Sequence, residues 1–201
     1  MSKIKICGLS RIEDINYVNS SLPDYIGFVF APSRRRIDEK TASSLKERLD
    51  GRIKAVGVFV NGDIETIAGL FFGGVIDIAQ LHGDEDNDYI RRLKERCGCP
   101  VIKSVGVGDV LPPLPAAADF VLFDTLSATR GGTGKTFDWS LLRNYSGTPY
   151  FLAGGLNCEN VTDARRSLAP YCIDVSSGAE TDGIKDADKI SRIVRLVRQE
   201  G

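Results

Sequence analysis

Two side chains with acid–base chemistry end short apolar runs in this sequence. Cys7 ends the run Ile4–Cys7, and Asp124 ends the run Phe120–Asp124. A thiol becomes a useful base only if its pKa falls from about 8.5 toward neutrality, whereas a carboxyl group at a strand end is a good general acid or base. Each also has a structural interpretation, since free cysteines often pack as small hydrophobes and aspartates often order loops. Cys7 and Asp124 are therefore candidates for proton transfer.

Three consecutive arginines, Arg34, Arg35 and Arg36, follow the second apolar run. One interpretation is a solvated basic loop. The other is an anion clamp, because a guanidinium group can bind a carboxylate or a phosphate through two parallel hydrogen bonds. In a chain of net charge −1, such a local cluster favours a small anionic ligand.

Small residues follow the seventh and eighth apolar runs. Gly154 and Gly155 come after the seventh, and Ser177 and Gly178 come after the eighth. Glycine lets backbone N–H groups approach a dianion closely, and the loops after strands 7 and 8 of α/β barrels often bind phosphate. Two tight turns are the plain alternative. The occurrence of both loops predicts a phosphate site.

The sequence offers little for a metal or a cofactor. His82 is the only histidine, and Cys97 and Cys99 lack the two-residue spacer of zinc sites. The stretch Gly131–Thr136 resembles a nucleotide-binding loop, but Thr129 stands where that motif requires glycine. We therefore expect no metal and no cofactor, and His82 is either a polar residue of the rim or a substrate contact.

These candidates need elements that bring their strand ends together. The predicted strands are Ile4–Cys7, Tyr25–Phe30, Ala55–Val60, Ile76–Leu81, Val101–Val105, Phe120–Asp124, Tyr150–Ala153 and Ile173–Val175. A capping box at Ser10–Glu13 predicts a first helix to about Ser20. The other predicted helices are Asp38–Leu49, Asp63–Phe72, Asp86–Arg96, Asn160–Leu168 and Asp186–Gln199.

The alternation of strands and helices decides the fold class. The prolines of Gly106–Ala118 argue against a helix there, and Trp139–Tyr145 permits only a short one. Eight βα units in one chain predict an α/β fold of the (β/α)₈ TIM-barrel class with an eight-stranded parallel sheet, and a doubly wound sheet is the alternative. Residues 1–201 are expected to form a single domain.

Composition limits the class of partner. The chain has 26 Lys and Arg against 27 Asp and Glu, which argues against a nucleic-acid binder. No apolar run approaches the roughly 20 residues of a membrane helix, and the N-terminus has no apolar leader. Five cysteines without a disulfide pattern favour reduced thiols in the cytoplasm. Both a monomer and a homodimer are compatible with the sequence.

Several longer stretches together resemble one family, phosphoribosylanthranilate isomerase of tryptophan biosynthesis. The resemblance covers nearly the whole chain, and its most specific stretches are Gly131–Trp139 and Asp174–Glu180. The shorter matching stretches are Lys5–Leu9, Gly27–Phe30, Val56–Phe59, Gln80–Gly83, Asp124–Thr125 and Ala153–Asn157. It implies a (β/α)₈ barrel and a cofactor-free Amadori rearrangement of N-(5-phosphoribosyl)anthranilate to 1-(2-carboxyphenylamino)-1-deoxyribulose 5-phosphate.

The resemblance also implies roles for individual residues. The general base falls on Cys7 and the general acid on Asp124, while the arginine that holds the anthranilate carboxylate falls on Arg35. The implied phosphate contacts are Gly154, Gly155, Ser177 and Gly178. In this mechanism the pKa of Asp124 should be raised by burial and that of Cys7 should be lowered.

Two features leave alternatives open. The loop Ala31–Ile37 is one residue shorter than the family form, so Arg34 or Arg36 could share or take the role of Arg35. A related isomerase of the histidine pathway is the competing enzyme, although Cys7 and the Gly131–Trp139 stretch argue against it. A barrel that binds a phosphosugar without turnover is the non-enzymatic alternative, and the presence of both Cys7 and Asp124 argues against that.

Overall fold

The apolar runs of the sequence form the strands of a closed parallel barrel. Helices cover the outer face of such strands and the barrel interior covers the inner face, so both faces are buried and apolar. The computed structural model describes residues 2–125 and 136–199. The barrel strands pair in sequence order from β1 to β8, and β8 closes on β1. They are β1 Lys3–Cys7, β2 Tyr25–Val29, β3 Lys54–Phe59, β4 Ile78–Leu81, β5 Val101–Val107, β6 Phe120–Thr125, β7 Tyr150–Leu152 and β8 Cys172–Val175. The predicted barrel is thus confirmed, and the doubly wound alternative is wrong.

Helices lie outside the barrel where amphipathic segments predict them. They are α1 Ile12–Ser21, α2 Glu39–Lys46, α3 Ile64–Phe72, α4 Asn87–Cys97, α5 Val161–Leu168 and α6 Ala187–Arg198. Asp38, Asp86 and Asp186 cap α2, α4 and α6 as predicted, since each carboxylate accepts a hydrogen bond from a backbone N–H of the first turn. The segment 108–119 contains no helix, and Trp139–Leu142 forms one short 3₁₀ turn, as the sequence predicts.

The predicted capping box of α1 is wrong in its residues. Asp14, and not Glu13, reaches back to the helix start, where its Oδ2 accepts hydrogen bonds from the backbone N–H groups of Ser10 and Arg11 at 2.9 and 3.1 Å. The Arg11 guanidinium pairs with the same carboxylate. This ion pair moves the helix start one residue beyond the position that the Ser10 pattern indicates.

A short antiparallel hairpin between β8 and α6 has no counterpart in the sequence predictions. It consists of β9 Glu180–Thr181 and β10 Ile184–Lys185. Two-residue strands are too short to show a hydrophobic period. The hairpin lies just beyond the Ser177–Gly178 loop and brings Glu180 and Lys185 into the interior.

The barrel interior is layered along the strands. Its lower part is an apolar cluster with members from seven strands: Tyr25, Val56, Ile78, Ile102, Leu122, Phe151, Ala153 and Cys172. Side chains that share a face recur every second residue in a strand. Moving two residues toward the carboxyl end therefore passes from Ile78 to Gln80 and from Cys172 to Asp174, which are buried polar residues. The apolar layer thus supports a polar layer beneath the barrel mouth.

Candidate active site

A cavity of about 540 Å³ opens at the carboxyl ends of the strands. Seven of the eight sequence-predicted site residues line it: Cys7, Arg35, His82, Asp124, Gly154, Gly155 and Ser177. The eighth, Gly178, is not among the lining residues. The side chains Gln80 and Asp174, which the sequence analysis does not assign, also line the cavity. These nine residues come from six strands or the loops that follow them, and all of them line one ligand-sized space.

Cys7 is a buried thiol at the end of β1, with 8% of its surface exposed. Its sulfur fits against β2 because position 27 is glycine, where a Cβ atom would lie only 2.6 Å from Sγ. Burial raises the pKa of the Cys7 thiol, and the nearby Lys5 ammonium opposes that rise. The expected lowering of this pKa is therefore wrong in sign, because burial outweighs the nearby positive charge.

Asp124 directly follows the buried residues Val121–Phe123 of β6 and lines the same cavity. Burial raises the pKa of this carboxyl to about 6, although the backbone N–H of Thr125 donates a hydrogen bond to Oδ1 at 2.8 Å and opposes the rise. The direction is the one that a proton donor near neutral pH requires.

His82 contacts Asp124 at the barrel mouth, with 3.7 Å between Nε2 and Oδ2. Gln80 determines which tautomer forms. The Gln80 Oε1 accepts a hydrogen bond from the Lys5 ammonium at 2.9 Å, so the amide nitrogen of Gln80 is the atom that faces His82 Nδ1 at 3.2 Å. Because an amide nitrogen can only donate, Nδ1 of the neutral ring accepts and Nε2 carries the proton. Ser104 Oγ lies 3.4 Å from Nε2, and Asp124 Oδ2 lies 3.7 Å from it.

Arg35 is the arginine of the 34–36 cluster that lines the cavity. Its Nε and Nη2 donate to the two carboxylate oxygens of Glu180 at 2.6 and 3.0 Å. Arg34 also pairs with Glu180, but its side chain is 56% exposed, and Arg36 is exposed. Of the three alternatives left open by the sequence, the geometry therefore favours Arg35 as the anion-binding residue.

The two glycine-containing loops contact each other at the far side of the cavity. A Cβ atom at Gly178 would lie 2.0 Å from the Leu156 carbonyl oxygen, so only glycine allows this approach. The side chain of Asn160 braces the first loop, since its Nδ2 donates to the Gly155 carbonyl at 3.0 Å and its Oδ1 accepts from the Asn157 N–H at 2.9 Å. Gly154 and Gly155 of the first loop and Ser177 of the second therefore line the same cavity.

Three buried polar residues of the interior were missed by the sequence reasoning. Lys5, Gln80 and Asp174 lie one strand repeat below Cys7, His82 and Ser176, respectively. The signal was present, because a charged or amide side chain two residues before a strand-end candidate shares its face. Reading the strands as uninterrupted apolar runs hid it.

Within residues 2–125 and 136–199, no group of three or more His, Cys, Asp or Glu side chains is arranged to hold a metal ion. Among the described helices, none has the length and apolarity needed to cross a bilayer. The glycine-rich 131–135 part of the stretch that resembles a nucleotide-binding loop lies outside the described residues.

Known proteins resemble this chain over its whole length. The family model for N-(5'phosphoribosyl)anthranilate (PRA) isomerase matches residues 4–196. The isomerase of Endomicrobium trichonymphae is 52% identical over 199 residues, which cover 98% of this chain and 99% of that protein. The crystal structure of the isomerase from Thermotoga maritima superposes with a TM-score of 0.86 at 36% identity, covering 98% of this chain and 99% of that one.

A further solved isomerase contains a ligand. It is in complex with reduced 1-(o-carboxyphenylamino)-1-deoxyribulose 5-phosphate, is 33% identical, has a TM-score of 0.81 and covers 98% of this chain and 99% of its own. The family match, the curated relative and the solved structures all indicate the same family. The chain therefore belongs to the PRA isomerase family, and it catalyses the isomerisation of N-(5'-phosphoribosyl)anthranilate in tryptophan biosynthesis.

Proposed function

We propose that Cys7 and Asp124 perform the rearrangement as a general base and a general acid. The observation that carries this proposal is that both side chains line one cavity from strands that are not neighbours, β1 and β6. A sugar between them can receive a proton on one side and lose a proton on the other. Proton transfers of this kind contribute factors of about 10² to 10⁴ in rate.

The proposed reaction has two proton transfers before the ketose forms. Asp124 protonates the ribose ring oxygen, so that the C1–O bond breaks and the nitrogen lone pair forms the C1=N bond of an iminium ion. Cys7 as thiolate then takes the proton from C2. The C2–H electron pair forms the C1=C2 bond of an enolamine as the C1=N π pair returns to nitrogen. The cationic nitrogen acidifies C2–H, so a partly ionised thiol suffices. The enolamine tautomerises to the ketose.

Substrate orientation follows from the two anionic ends of the ligand. Arg35 would bind the anthranilate carboxylate, while Gly154, Gly155 and Ser177 of the cavity lining would offer backbone N–H groups to the phosphate. Gly178, which packs against the Leu156 carbonyl oxygen, would complete the phosphate contacts from behind Ser177. Anchoring both ends fixes the reacting carbons between base and acid, which is where effective concentration is gained. We assign His82 to orientation of the substrate or of Asp124, because it lines the cavity and its Nε2 lies 3.7 Å from the Asp124 carboxylate.

The direct test is an anthranilate-fluorescence assay in which the substrate is generated in situ. The purified chain should consume it rapidly, while Cys7→Ala and Asp124→Asn, folded by circular dichroism, should lose about 10²-fold or more of kcat. An unchanged kcat in either variant would overturn the corresponding role. A parallel assay with the aminoaldose substrate of the histidine pathway should show little turnover, and equal turnover would contradict the substrate assignment.

We further propose that residues 1–201 form a single domain that works in the cytoplasm without a cofactor. The match to residues 4–196 and the five free thiols support this. A solved relative from Thermotoga maritima, 33% identical, is described as dimeric and has also been crystallised as monomers. The cavity here is lined by residues of one chain, so we expect a monomer and a homodimer to be equally active, which size-exclusion fractions assayed for turnover would check.

A further inference from the structure

Lys5 is a fully buried lysine inside the barrel. Its ammonium donates to Asp174 Oδ2 at 2.8 Å and to Gln80 Oε1 at 2.9 Å. An ammonium group has three protons to donate. The two anchors fix the position of the nitrogen and leave one proton for another partner.

Cys7 is the next side chain on the same face of β1. Lys5 and Cys7 are two residues apart on β1, so both side chains lie on the interior face of the strand. The Lys5 charge lowers the pKa of the Cys7 thiol, against the larger effect of burial. Although burial opposes its charge, Asp174 and Cys7 hold the pKa of Lys5 above its ordinary value, so this lysine stays protonated at neutral pH.

We propose that Lys5 is a positioning residue of the isomerase, whose ammonium, anchored by Asp174 and Gln80, stabilises the thiolate form of Cys7. A buried thiol is a poor base, because burial disfavours the charged form. A fixed cation beside the sulfur offsets this and maintains the ionised fraction that removes the C2 proton. This inference rests on the proposed role of Cys7 as the base.

Other charged groups around Cys7 act on the same equilibrium. Asp174 on β8 opposes the thiolate, and Lys185 on β10 favours it more weakly than Lys5 does. Around the same cavity lie Asp124 of β6, His82 after β4 and Arg35 after β2. Lys185 is committed to Glu180 Oε1 at 2.7 Å and to the Ser176 carbonyl at 2.9 Å. Lys5 is therefore the cation whose removal should change Cys7 most.

The test measures the alkylation of Cys7 by iodoacetamide as a function of pH, without substrate, with the modified peptides quantified by mass spectrometry. In Lys5→Met the pH midpoint should rise by at least one unit, so that alkylation below the midpoint slows by about tenfold. In Asp174→Asn the midpoint should fall. Cys97 in the same samples is the internal control, and its rate should not change.

The opposite signs distinguish electrostatics from loosening of the fold. A loosened barrel would expose Cys7 and lower the midpoint in both variants, which would overturn the proposal, as would an unchanged midpoint in Lys5→Met. Because Lys5→Met leaves Asp174 buried without a partner and could impair folding, the neutral pair Lys5→Met/Asp174→Asn is included. Its midpoint should lie above that of the wild type and below that of Lys5→Met, since the influence of Lys5 exceeds that of Asp174.

Turnover provides the second readout. If Lys5 acts through Cys7, kcat should fall in Lys5→Met by the same factor as the thiolate fraction, with KM nearly unchanged, and a raised KM at constant kcat would contradict the proposal. Failure of the proposed function would look different. If Cys7→Ala retained full activity, Cys7 would not be the base, while the alkylation midpoints would still report whether Lys5 controls its ionisation.

Discussion

Glu180 accepts hydrogen bonds from Arg35 through both of its carboxylate oxygens, at 2.6 and 3.0 Å. Arg35 lies in the loop after β2, and Glu180 lies in the hairpin after β8. The pairing with Arg35 and Lys185 keeps the pKa of Glu180 below its ordinary value despite burial. The hairpin thus holds the arginine that we assign to the anthranilate carboxylate.

Substitution of Arg35 should therefore affect substrate binding selectively. Loss of a charge-assisted contact costs about 1.5–3 kcal/mol, so Arg35→Ala should lower kcat/KM by about 10- to 150-fold, mainly through KM. Arg36→Ala removes an exposed arginine next to it and should change KM by less than about twofold. Steady-state kinetics of both variants show which arginine binds the anthranilate carboxylate. A larger increase of KM in Arg36→Ala than in Arg35→Ala would assign that role to Arg36.

The pH dependence of turnover should reflect Asp124, which is active when protonated, and Cys7, which is active when ionised. Between their two pKa values each of these active forms is the minority form. Asp124 has a pKa of about 6, and burial raises the pKa of Cys7 above its ordinary value. The fraction with protonated acid and ionised base is then constant between the two values, so kcat/KM should rise to a plateau with a midpoint near 6 and fall above the Cys7 pKa. In Asp124→Asn the residual activity should instead rise about tenfold per pH unit across the former plateau. A plateau that persists in this variant would contradict the account.

Asp124 should also lower the stability of the native protein. Because its pKa is raised from 3.8 to about 6 in the folded state, the folded chain binds protons more tightly than the unfolded chain. The contribution of Asp124 to the free energy of unfolding is therefore favourable at low pH and is lost as the pH rises through about 6. At pH 8, Asp124→Asn should gain up to about 3 kcal/mol, since one pKa unit corresponds to about 1.4 kcal/mol.

Urea unfolding at pH 8 and at pH 4 measures this effect. The gain of Asp124→Asn should be large at pH 8 and nearly absent at pH 4, where the carboxyl is protonated in the folded chain. Equal stability of variant and wild type at pH 8 would show that the carboxylate is not disfavoured by its surroundings.

Gly154 should be intolerant of any side chain. It has a φ of +87°, and a Cβ atom would lie 2.4 Å from Thr125 Oγ1 and 3.0 Å from Asp124 Oδ1. Gly154→Ala should therefore displace Asp124 and lower kcat, with a destabilisation of at least about 1 kcal/mol. Gly69 is the matched control, because it lies within α3 and a Cβ atom there would meet no other atom within 4 Å. Gly69→Ala should stabilise the chain by about 0.5–1 kcal/mol at unchanged kcat.

Thermal unfolding and kcat of the two alanine variants test this contrast. A Gly154→Ala variant with wild-type kcat would show that the position of Asp124 does not depend on the small residue beside it.

The sequence alone predicts which residues lie at the strand ends, but it does not predict which distant side chains pair with each other. The apolar runs that end at Cys7 and Asp124 locate both residues at the barrel mouth, because the βα loops that form active sites follow the carboxyl ends of the strands. The pairing of Lys5 with Asp174 joins residues 169 positions apart, and no local pattern predicts it. Similarly, the Arg11–Asp14 ion pair replaces the predicted Ser10 cap of α1. The direction of the Cys7 pKa shift depends on burial, which only the folded chain creates.

The separate roles of Cys7 and Asp124 are the central claim, and deuterium at C2 of the substrate tests them most directly. In Cys7→Ser removal of the C2 proton should limit turnover, so the deuterated substrate should react markedly more slowly than the protiated one. In Asp124→Asn ring opening should limit turnover, so the two substrates should react at the same rate. The reverse pattern, an isotope effect in Asp124→Asn and none in Cys7→Ser, would contradict the assignment of base and acid.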